Sequence, residues 1–316
     1  MPLIAENWAE LITPLANRGF WTIGYAGGDR RASFLSMLFD MQGSSFAEEK
    51  SQPVGGMGTS GWNFEDSGRV QYGDIVKGYE ATFGHKEFAR GVMVERKLFD
   101  DSRWAEIQNQ TAVLGDAAFR MREKAGANVF TNAFSAATSE SRDDFGTNAV
   151  GPDSVALCST AHPRHAADAS STDSNEGTNA LTKAGLSTTR QAMQSFGDLN
   201  GDLLNVMPDE LLVPPELEDT ALELVRSVQD PESANNAINP QAGRFRVMTW
   251  HYLTDANAWF MMDSGRRRMH LKWYDRIALE FAREQDFDTL VSKFRAYMRF
   301  SLGWTDWRWV YGNNPS

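Results

Sequence analysis

Residues 211–225 read LLVPPELEDTALELV, and this stretch sets the order of the elements on either side of it. The apolar run from Leu211 to Val213 predicts a short buried strand. Val213 precedes a proline and therefore stays extended, while Pro215 suits the first turn of a helix. Apolar residues then line one face of that helix: Leu217, Ala221, Leu224, Val225 and Val228. The stretch predicts a strand, a tight turn and an amphipathic helix.

The segments that follow carry β-strand patterns. NPQAGRFRVMTWHYL, which starts at residue 239, predicts a turn and then a strand. Apolar side chains alternate with other residues along 269–281 and 294–302, as in antiparallel strands with one wet face. Six of the ten tryptophans lie between residues 250 and 309, so the aromatic part of the core is expected in this half of the chain.

A long helix is predicted upstream, at roughly residues 100–130. Asp101 or Ser102 is expected to cap it. At 1.5 Å per residue such a helix is about 40 Å long, enough to act as a structural beam. A shorter helix is predicted at 183–196. The apolar residues of the long helix follow three- and four-residue spacing: Ile107, Leu114, Ala118, Met121, Ala125 and Val129.

The first eighty residues lack a core of their own. Residues 1–40 mix scattered apolar side chains with glycines and a short helix or two, so those side chains must bury against another part of the chain or against a neighbour. Residues 43–78 are glycine-rich and predict a long hairpin-like loop with strand-like pairs at 62–64 and 70–72. A loop of that length is either functional or disordered, and we favour a projecting contact loop.

Composition excludes several classes of protein. The chain has 316 residues, 41% of them hydrophobic, and a net charge of −11. Nucleic-acid binders usually carry the opposite sign of charge, and an acidic chain repels anionic membranes. Neither a signal peptide nor an apolar run long enough to span a membrane is visible. A single cysteine excludes an internal disulfide.

One short stretch holds the material of an active site. LCSTAHPRH at 157–165 contains the only cysteine, Cys158, together with His162 and His165. A catalytic cysteine and its histidine usually come from separate elements, and a metal site needs another ligand, for which Asp168 is the nearest candidate. We therefore interpret the stretch as structural, with a cysteine hydrolase and a metal site as the alternatives.

The remaining motifs are weak. GYAGGDRR at 24–31 lacks the spacing of a nucleotide-binding loop. No helix pairs carboxylates with histidine at metal-ligand spacing, and no cofactor is predicted. The clearest basic patch consists of Arg266, Arg267, Arg268 and Lys272. It is open to three interpretations: a contact to phosphate, a contact to acidic residues of a neighbouring subunit, or a solvated turn between strands.

The order of these parts resembles the HK97-type major capsid protein of tailed bacteriophages, and within it the Mu-like major head subunit family. LLVPPELEDTALELV is similar to the family's segment that leads into a helix of the axial domain. INPQAGRFRVMTWHYLTDANAWFMMD at 238–263 is similar to its asparagine–proline turn, strand and aspartate–tryptophan segment. LCSTAHP at 157–163 resembles its strand before a variable loop. The resemblance covers about residues 30 to 310.

This resemblance implies an α+β fold in which Cys158 and His162 lie on a structural strand end. It implies an N-terminal arm at 1–42, an extended E-loop at 43–80, a peripheral domain at 81–182 with a spine helix at about 100–130, an axial domain at 183–267, and peripheral strands with the C-terminus at 268–316. Lys50 and Lys77 lie in or near the loop, but no partner for covalent cross-linking is identified, and none is predicted.

The implied function is a structural one. Copies of the chain would form pentamers and hexamers of an icosahedral or prolate shell around double-stranded DNA, bound without sequence specificity. The virion would be assembled in the host cytoplasm. Portal and scaffolding proteins are expected partners, decoration proteins are optional ones, and no membrane is involved. The expected contacts between subunits lie on the loop and the arm: Trp8, Phe20, Trp21, Trp62, Phe64 and Tyr72. The basic patch would face the genome or a neighbour.

Three alternatives stay open at this point. An encapsulin-like compartment of the same fold would enclose enzyme cargo instead of DNA. A soluble cysteine hydrolase would use Cys158 and His162. A carbohydrate- or partner-binding module would use exposed tryptophans.

Overall fold

The computed structural model describes residues 8–27, 33–55, 62, 68–70, 72, 75–135, 151–165, 168–229, 238–286 and 288–315. The helices are α1 (Trp8–Asn17), a π-helix (Arg18–Tyr25), α2 (Leu35–Leu38), α3 (Arg96–Asp100), α4 (Trp104–Thr131), α5 (Lys183–Gln194), a 3₁₀ turn (Pro215–Leu217), α6 (Glu218–Arg226) and α7 (Ser264–His270). The strands are β1 (Asp40–Gly43), β2 (Glu48–Ser51), β3 (Ala81–Gly84), β4 (Lys86–Glu95), β5 (His162–His165), β6 (Asp168–Asp173), β7 (Glu176–Gly177), β8 (Glu210–Val213), β9 (Arg246–Thr249), β10 (Trp259–Met262), β11 (Leu271–Asp286), β12 (Val291–Trp304) and β13 (Val310–Asn313).

A four-stranded sheet has the order β1-β11-β12-β4. Strand β12 lies at its centre and shows the predicted alternation, because Phe294, Ala296 and Phe300 are buried while Arg295 is exposed. Strand β11 departs from the predicted alternation because two register shifts, between Asp275 and Glu280, interrupt its pairing with β12. The pattern around 269 is also wrong, since Met269 lies in α7 and is exposed.

A five-stranded sheet has the order β7-β13-β10-β8-β9. Strand β8 is buried along its whole length between antiparallel β10 and parallel β9, which confirms the buried strand predicted at Leu211–Val213. Pro215 opens the 3₁₀ turn before α6, as predicted. Helix α6 buries Ala221, Leu224 and Val225, whereas Val228 lies beyond its end and is exposed.

Helix α4 packs with both sheets around one aromatic core. Trp250, Trp273, Phe300 and Trp309 are buried there together with the apolar residues of α4 near Phe130. Full burial of each large apolar side chain contributes about 1.5–3 kcal/mol. The expectation of an aromatic core in the C-terminal half is confirmed.

The start of α4 differs from the prediction. The helix begins at Trp104 with Arg103 as the N-cap residue, and no side chain caps it. Ser102, a predicted cap, has φ +56° and forms part of the turn that separates α3 from α4. Before this turn, β4 ends at Glu95 and Arg96–Asp100 is helical.

The N-terminal segment packs against α4 through glycine. A Cβ placed on Gly115 of α4 would lie 2.3 Å from the carbonyl oxygen of Phe20, and a Cβ placed on Gly24 would lie 2.2 Å from the carbonyl oxygen of Ala112. The absence of these two Cβ atoms allows the π-helix and α4 to pack with their backbones in contact. This segment is therefore helical and docked on its own chain rather than extended.

Sheet membership does not follow the predicted domain boundaries. Strand β13 lies within 268–316, yet it pairs with β10 of the five-stranded sheet. Strand β7 lies within 81–182 and pairs with β13. The C-terminal segment thus contributes to both sheets, and the polypeptide crosses between them more often than the boundaries imply.

Candidate interaction surface

The loop at 43–80 leaves the fold through a short antiparallel ladder. Strand β2 pairs with β3 from Glu48 opposite Gly84 to Ser51 opposite Ala81. Beyond this ladder, two backbone hydrogen bonds hold the legs together: Gly55 donates to Val76 (2.7 Å), and Gly78 donates to Pro53 (2.9 Å). We call residues 52–55 and 75–78 the neck. The hairpin-like geometry agrees with the prediction.

The neck rests on Leu199. A Cβ on Gly55 would lie 2.7 Å from Leu199 Cδ1, and a Cβ on Gly78 would lie 2.8 Å from the ring of Pro53. Glycine at both positions lets the two legs and the leucine side chain approach closely. Gln52 adds a side-chain hydrogen bond to the carbonyl of Gly78 (2.9 Å). The base of the loop is therefore held in place by its own chain.

Large apolar side chains stand exposed on the loop. Trp62 is 78% exposed and Tyr72 is 94% exposed. Phe64, the third aromatic residue predicted to make contacts here, lies outside the described residues. Contiguous exposed apolar surface on a folded protein indicates an interaction site. Among the loop residues that the structure describes, further exposed apolar ones are Phe46, Val54, Val70 and Ile75.

A histidine joins the loop to the four-stranded sheet. The ring nitrogens of His85 lie 3.1 Å from Ser44 Oγ and 2.9 Å from Ser301 Oγ. Ser44 Oγ in turn donates to a carboxylate oxygen of Glu49 (2.6 Å). Burial, and then the charge of Arg299, lower the pKa of His85 below its usual value. This link could not be predicted from the sequence, because its members are far apart along the chain.

The arm residues behave differently from one another. Phe20 was expected to bury against a neighbouring subunit, but it is fully buried in its own chain and stacks on Phe281 with 4.3 Å between ring centroids. Trp21 remains 38% exposed on the π-helix. Trp8 begins α1, and its side chain lies outside the described residues. Of the three, Trp21 is therefore the one whose described side chain is available to a neighbour.

The predicted basic patch does not form as one surface. The Arg267 side chain is fully buried, and it donates to both carboxylate oxygens of Glu210 (2.8 and 3.0 Å) and to the carbonyls of Met37 and Leu38. A burial this deep requires such a set of partners. Lys272 is paired with Asp40 at 2.6 Å. Two members remain outside this arrangement: Arg268 is exposed and Arg266 is half-buried.

Two further buried charged groups were missed by the sequence analysis. Arg122 of α4 makes a bidentate pair with Asp275 (3.0 and 3.1 Å) and lies over the ring of Trp273. Glu123 accepts hydrogen bonds from Ser33 Oγ (2.6 Å) and Trp250 Nε1 (3.2 Å), and burial raises its pKa. Both groups fix the long helix to other elements. Their positions within an amphipathic helix pattern had marked them only as polar.

The cysteine and histidine stretch is structural. Cys158 is 1% exposed, and burial raises the pKa of its thiol well above the usual value. His162 is also buried, with Nδ1 2.6 Å from Asp153 Oδ2 and Nε2 3.1 Å from Asn175 Oδ1. A catalytic base needs a ring nitrogen directed at the nucleophile, and both nitrogens of His162 have other partners. Among the described residues, the thiol is therefore shielded from solvent and His162 is not placed to act as its base.

Replacement of Cys158 tests this assignment. The Cys158→Ala variant is expected to assemble as the wild type does and to lose about 1 kcal/mol of stability through the small cavity it leaves. Denaturant unfolding measures the loss, and hydrolysis of ester and peptide substrates is measured in parallel on both proteins. A hydrolytic activity of the wild type that disappears in the variant would overturn the structural interpretation.

Neither a metal cluster nor a membrane-spanning helix is found in the part of the chain that the structure describes. Among the described residues, no group of three or more histidine, cysteine, aspartate or glutamate side chains is placed to hold a metal ion. Within that same part of the chain, no helix combines the length and apolar character required to cross a bilayer.

Comparison with known families and structures identifies one group of proteins. A family model described as phage capsid protein matches residues 80–313. No curated protein matches the sequence.

Solved structures show the same fold. The capsid of a native GTA particle superposes with a TM-score of 0.55 at 13% identity, covering 91% of both chains. The mature capsid of bacteriophage PhiM1 gives 0.55 at 12% identity, covering 90% of this chain and 88% of that one. The capsid of the cyanophage P-SCSP1u gives 0.54 at 11% identity, covering 91% and 89%. The expected HK97-type α+β fold is thereby confirmed.

Proposed function

The chain belongs to the phage capsid protein family, and we propose that its projecting loop carries the contact by which neighbouring copies join. The chain is a major capsid subunit, and copies of it assemble into the shell of a virion. The observation that carries the loop assignment is the exposure of Trp62 and Tyr72 on a loop whose base is fixed. The Mu-like subfamily stays a prediction.

The regions of the chain receive roles from this function. Residues 1–42 serve as the N-terminal arm and 43–80 as the E-loop. The four-stranded sheet with α4 supplies most of the peripheral domain. The five-stranded sheet supplies most of the axial domain, with β7 and β13 added to the predicted range 183–267. This division rests on which sheet each strand belongs to and on the resemblance of the chain to HK97-type capsid proteins.

The contact surfaces follow from what is exposed. The fixed neck lets the loop project without losing its direction, so a contact at its end costs little conformational entropy. Burial of a tryptophan and a tyrosine supplies the kind of anchor that dominates protein interfaces. The docked N-terminal segment adds Trp21. Phe20 is omitted from the contact set because it is already buried.

The function of a capsid shell implies further partners. The closed shell encloses double-stranded DNA without sequence specificity, and a net charge of −11 keeps the genome from adhering to its container. Portal and scaffolding proteins, with or without decoration proteins, complete assembly in the host cytoplasm. Arg268 and Arg266 remain as local contacts for phosphate or for a neighbour. A catalytic role is not proposed.

The alternatives are less well supported. The family model and the compared structures are named as phage or particle capsids, which does not favour an encapsulin-like compartment. The buried thiol of Cys158 does not favour a cysteine hydrolase. A binding module that uses exposed tryptophans conflicts with the burial of Trp250, Trp259, Trp273 and Trp309.

Removal of the loop aromatics tests the proposal. The Trp62→Ala and Tyr72→Ala variants together are expected to raise the concentration needed for assembly at least tenfold, because each truncation of a central anchor costs about 2 kcal/mol or more. Negative-stain electron microscopy and size-exclusion chromatography measure assembly, with candidate scaffold present.

The control for this test is Ile238→Ala, which removes an equally exposed apolar residue outside the loop. Unfolding curves should be unchanged in all the variants, since these side chains contribute little to the core. Normal assembly of the loop variants would contradict the proposed role of the loop. A wild-type protein that stays monomeric even with scaffold would contradict assembly itself.

A further inference from the structure

A hollow of about 370 Å³ lies on the four-stranded sheet, across strands β4, β12 and β11. Arg295 stands at its centre, and its two neighbours across the sheet are Gly91 on one side and Ala282 on the other. Because both neighbours are small, the arginine side chain stands in a recess instead of a packed row. The next row toward the tip of the sheet is formed by Met93, Lys293 and Glu284.

The chemistry of this hollow suits a flat aromatic side chain. Met93 is 68% exposed, and a thioether packs favourably on aromatic rings. Arg295 has neither an ion pair nor a hydrogen bond within the part of the chain that the structure describes, so its guanidinium is available to stack. Lys293, by contrast, is held by Asp286 at 2.7 Å. Glu284 is the acidic group on the rim.

The loop of the same chain does not reach the hollow. The loop joins the sheet at the other end of β12, where Lys86 pairs with Phe300. Its neck lines one pocket together with Leu199 and with Trp304, the last residue of β12. Trp62 lies about seven residues from Gly55, a reach of roughly 25 Å at most. Arg295 lies about nine residues along β12 from Trp304, or roughly 30 Å. Trp62 therefore falls short of the hollow of its own chain.

We propose that this hollow is the receptor for Trp62 of a second copy, with the indole stacked on Arg295 against Met93. The proposal rests on the proposed function, in which the loop joins neighbouring copies, and it adds the surface that receives it. A contact between two different patches of the same chain is head-to-tail, and it closes into a ring when its rotation permits. Each subunit would thus carry both halves of the contact that a ring of subunits needs, the loop and the hollow.

Charge supports the choice of a second copy as occupant. The loop segment 62–74 contains Glu65, Asp66 and Asp74 against a single cation, Arg69. The hollow offers Arg295 without a partner among the described residues. A loop end with an excess of acid is therefore attracted to this recess, and docking orients the ring before it is buried.

Photo-cross-linking tests the receptor directly. A minority of subunits carrying Trp62→p-benzoylphenylalanine, which keeps an aromatic ring at the position, is co-assembled with an excess of ¹⁵N-labelled wild-type subunits and irradiated. Mass spectrometry is expected to find the light residue 62 joined to a heavy peptide that contains Met93 or residues 282–295. A heavy peptide from any other region would overturn the receptor assignment and leave the role of the loop intact.

A matched pair of substitutions separates this proposal from the general role of the loop. Arg295→Ala is expected to raise the assembly concentration about tenfold, while Arg244→Ala, at an exposed arginine outside the hollow, leaves it unchanged. Combining Arg295→Ala with Trp62→Ala should weaken assembly no further than Trp62→Ala alone, because both remove one contact. Fully additive losses would place Trp62 elsewhere. A loop variant that assembles normally would instead remove the proposed function on which the receptor rests.

Discussion

The Gly115→Ala variant is expected to lose about 2–3 kcal/mol of unfolding free energy, the range that overpacking costs in a closely packed interior. The added Cβ would meet two backbone atoms, 2.3 Å from the carbonyl oxygen of Phe20 and 2.7 Å from the amide nitrogen of Tyr25. Neither atom belongs to a flexible side chain, so the π-helix must move away from α4. Helix propensity alone predicts the opposite, a gain of about 1 kcal/mol. The sign of the change decides between the two effects.

Denaturant unfolding of the unassembled subunit measures this change. The control is Gly43→Ala, because nothing lies within 4 Å of a Cβ at that position and the effect should stay within about 0.5 kcal/mol. Limited proteolysis should cut the variant first within residues 18–25, where the contact is lost. A Gly115→Ala protein as stable as the wild type would show that the N-terminal segment is not docked on α4 in solution.

The Arg267→Met variant is expected to lose about 3–5 kcal/mol, because it leaves the carboxylate of Glu210 buried without a countercharge. The methionine fills most of the space of the arginine stem, so the loss reports on charge and hydrogen bonding more than on volume. The carbonyls of Met37 and Leu38 also lose their donor. Arg267→Lys should recover little of the loss, because an ammonium does not reproduce the bidentate fork.

The neighbouring arginine provides the control. Arg268→Met lies one position further along α7, is exposed, and should change stability by less than about 0.5 kcal/mol. In the Arg267→Met variant, a second change of Glu210→Gln should restore part of the stability, because it removes the unpaired charge. Equal stability of Arg267→Met and Arg268→Met would mean that the ion pair contributes nothing to the fold.

Local patterns predicted several of the elements. The strand at Leu211–Val213 follows from a continuous apolar run, the turn at Pro215 from the chemistry of proline, and the alternation in β12 from side-chain periodicity; all three are confirmed. The start of α4 was missed because no side chain caps it, and the turn depends on a positive φ at Ser102. Propensity gives no warning of such a turn in a residue other than glycine.

The candidate surface was predictable only in part. Glycine content and aromatic residues marked the loop as a contact surface. The same reasoning placed Phe20 at an interface, because a sequence does not show which apolar residues its own chain will cover. Arg267 was grouped with its neighbours because three consecutive arginines read as a surface patch. Only a partner 57 residues away, Glu210, reveals that one of them points inward.

Residues 38–43 are held by residues that follow more than 200 positions later in the chain. Strand β1 pairs with β11, Lys272 binds Asp40 across 232 positions, and Arg267 holds the carbonyl of Leu38 across 229. On the ribosome, residues 38–43 therefore emerge long before these partners exist. Loop closure over such separations slows folding, and apolar residues such as Phe20 and Phe39 stay exposed in the interval. Nascent subunits should depend on chaperones, and truncation before residue 272 should leave residues 38–43 without the strand and the lysine that hold them.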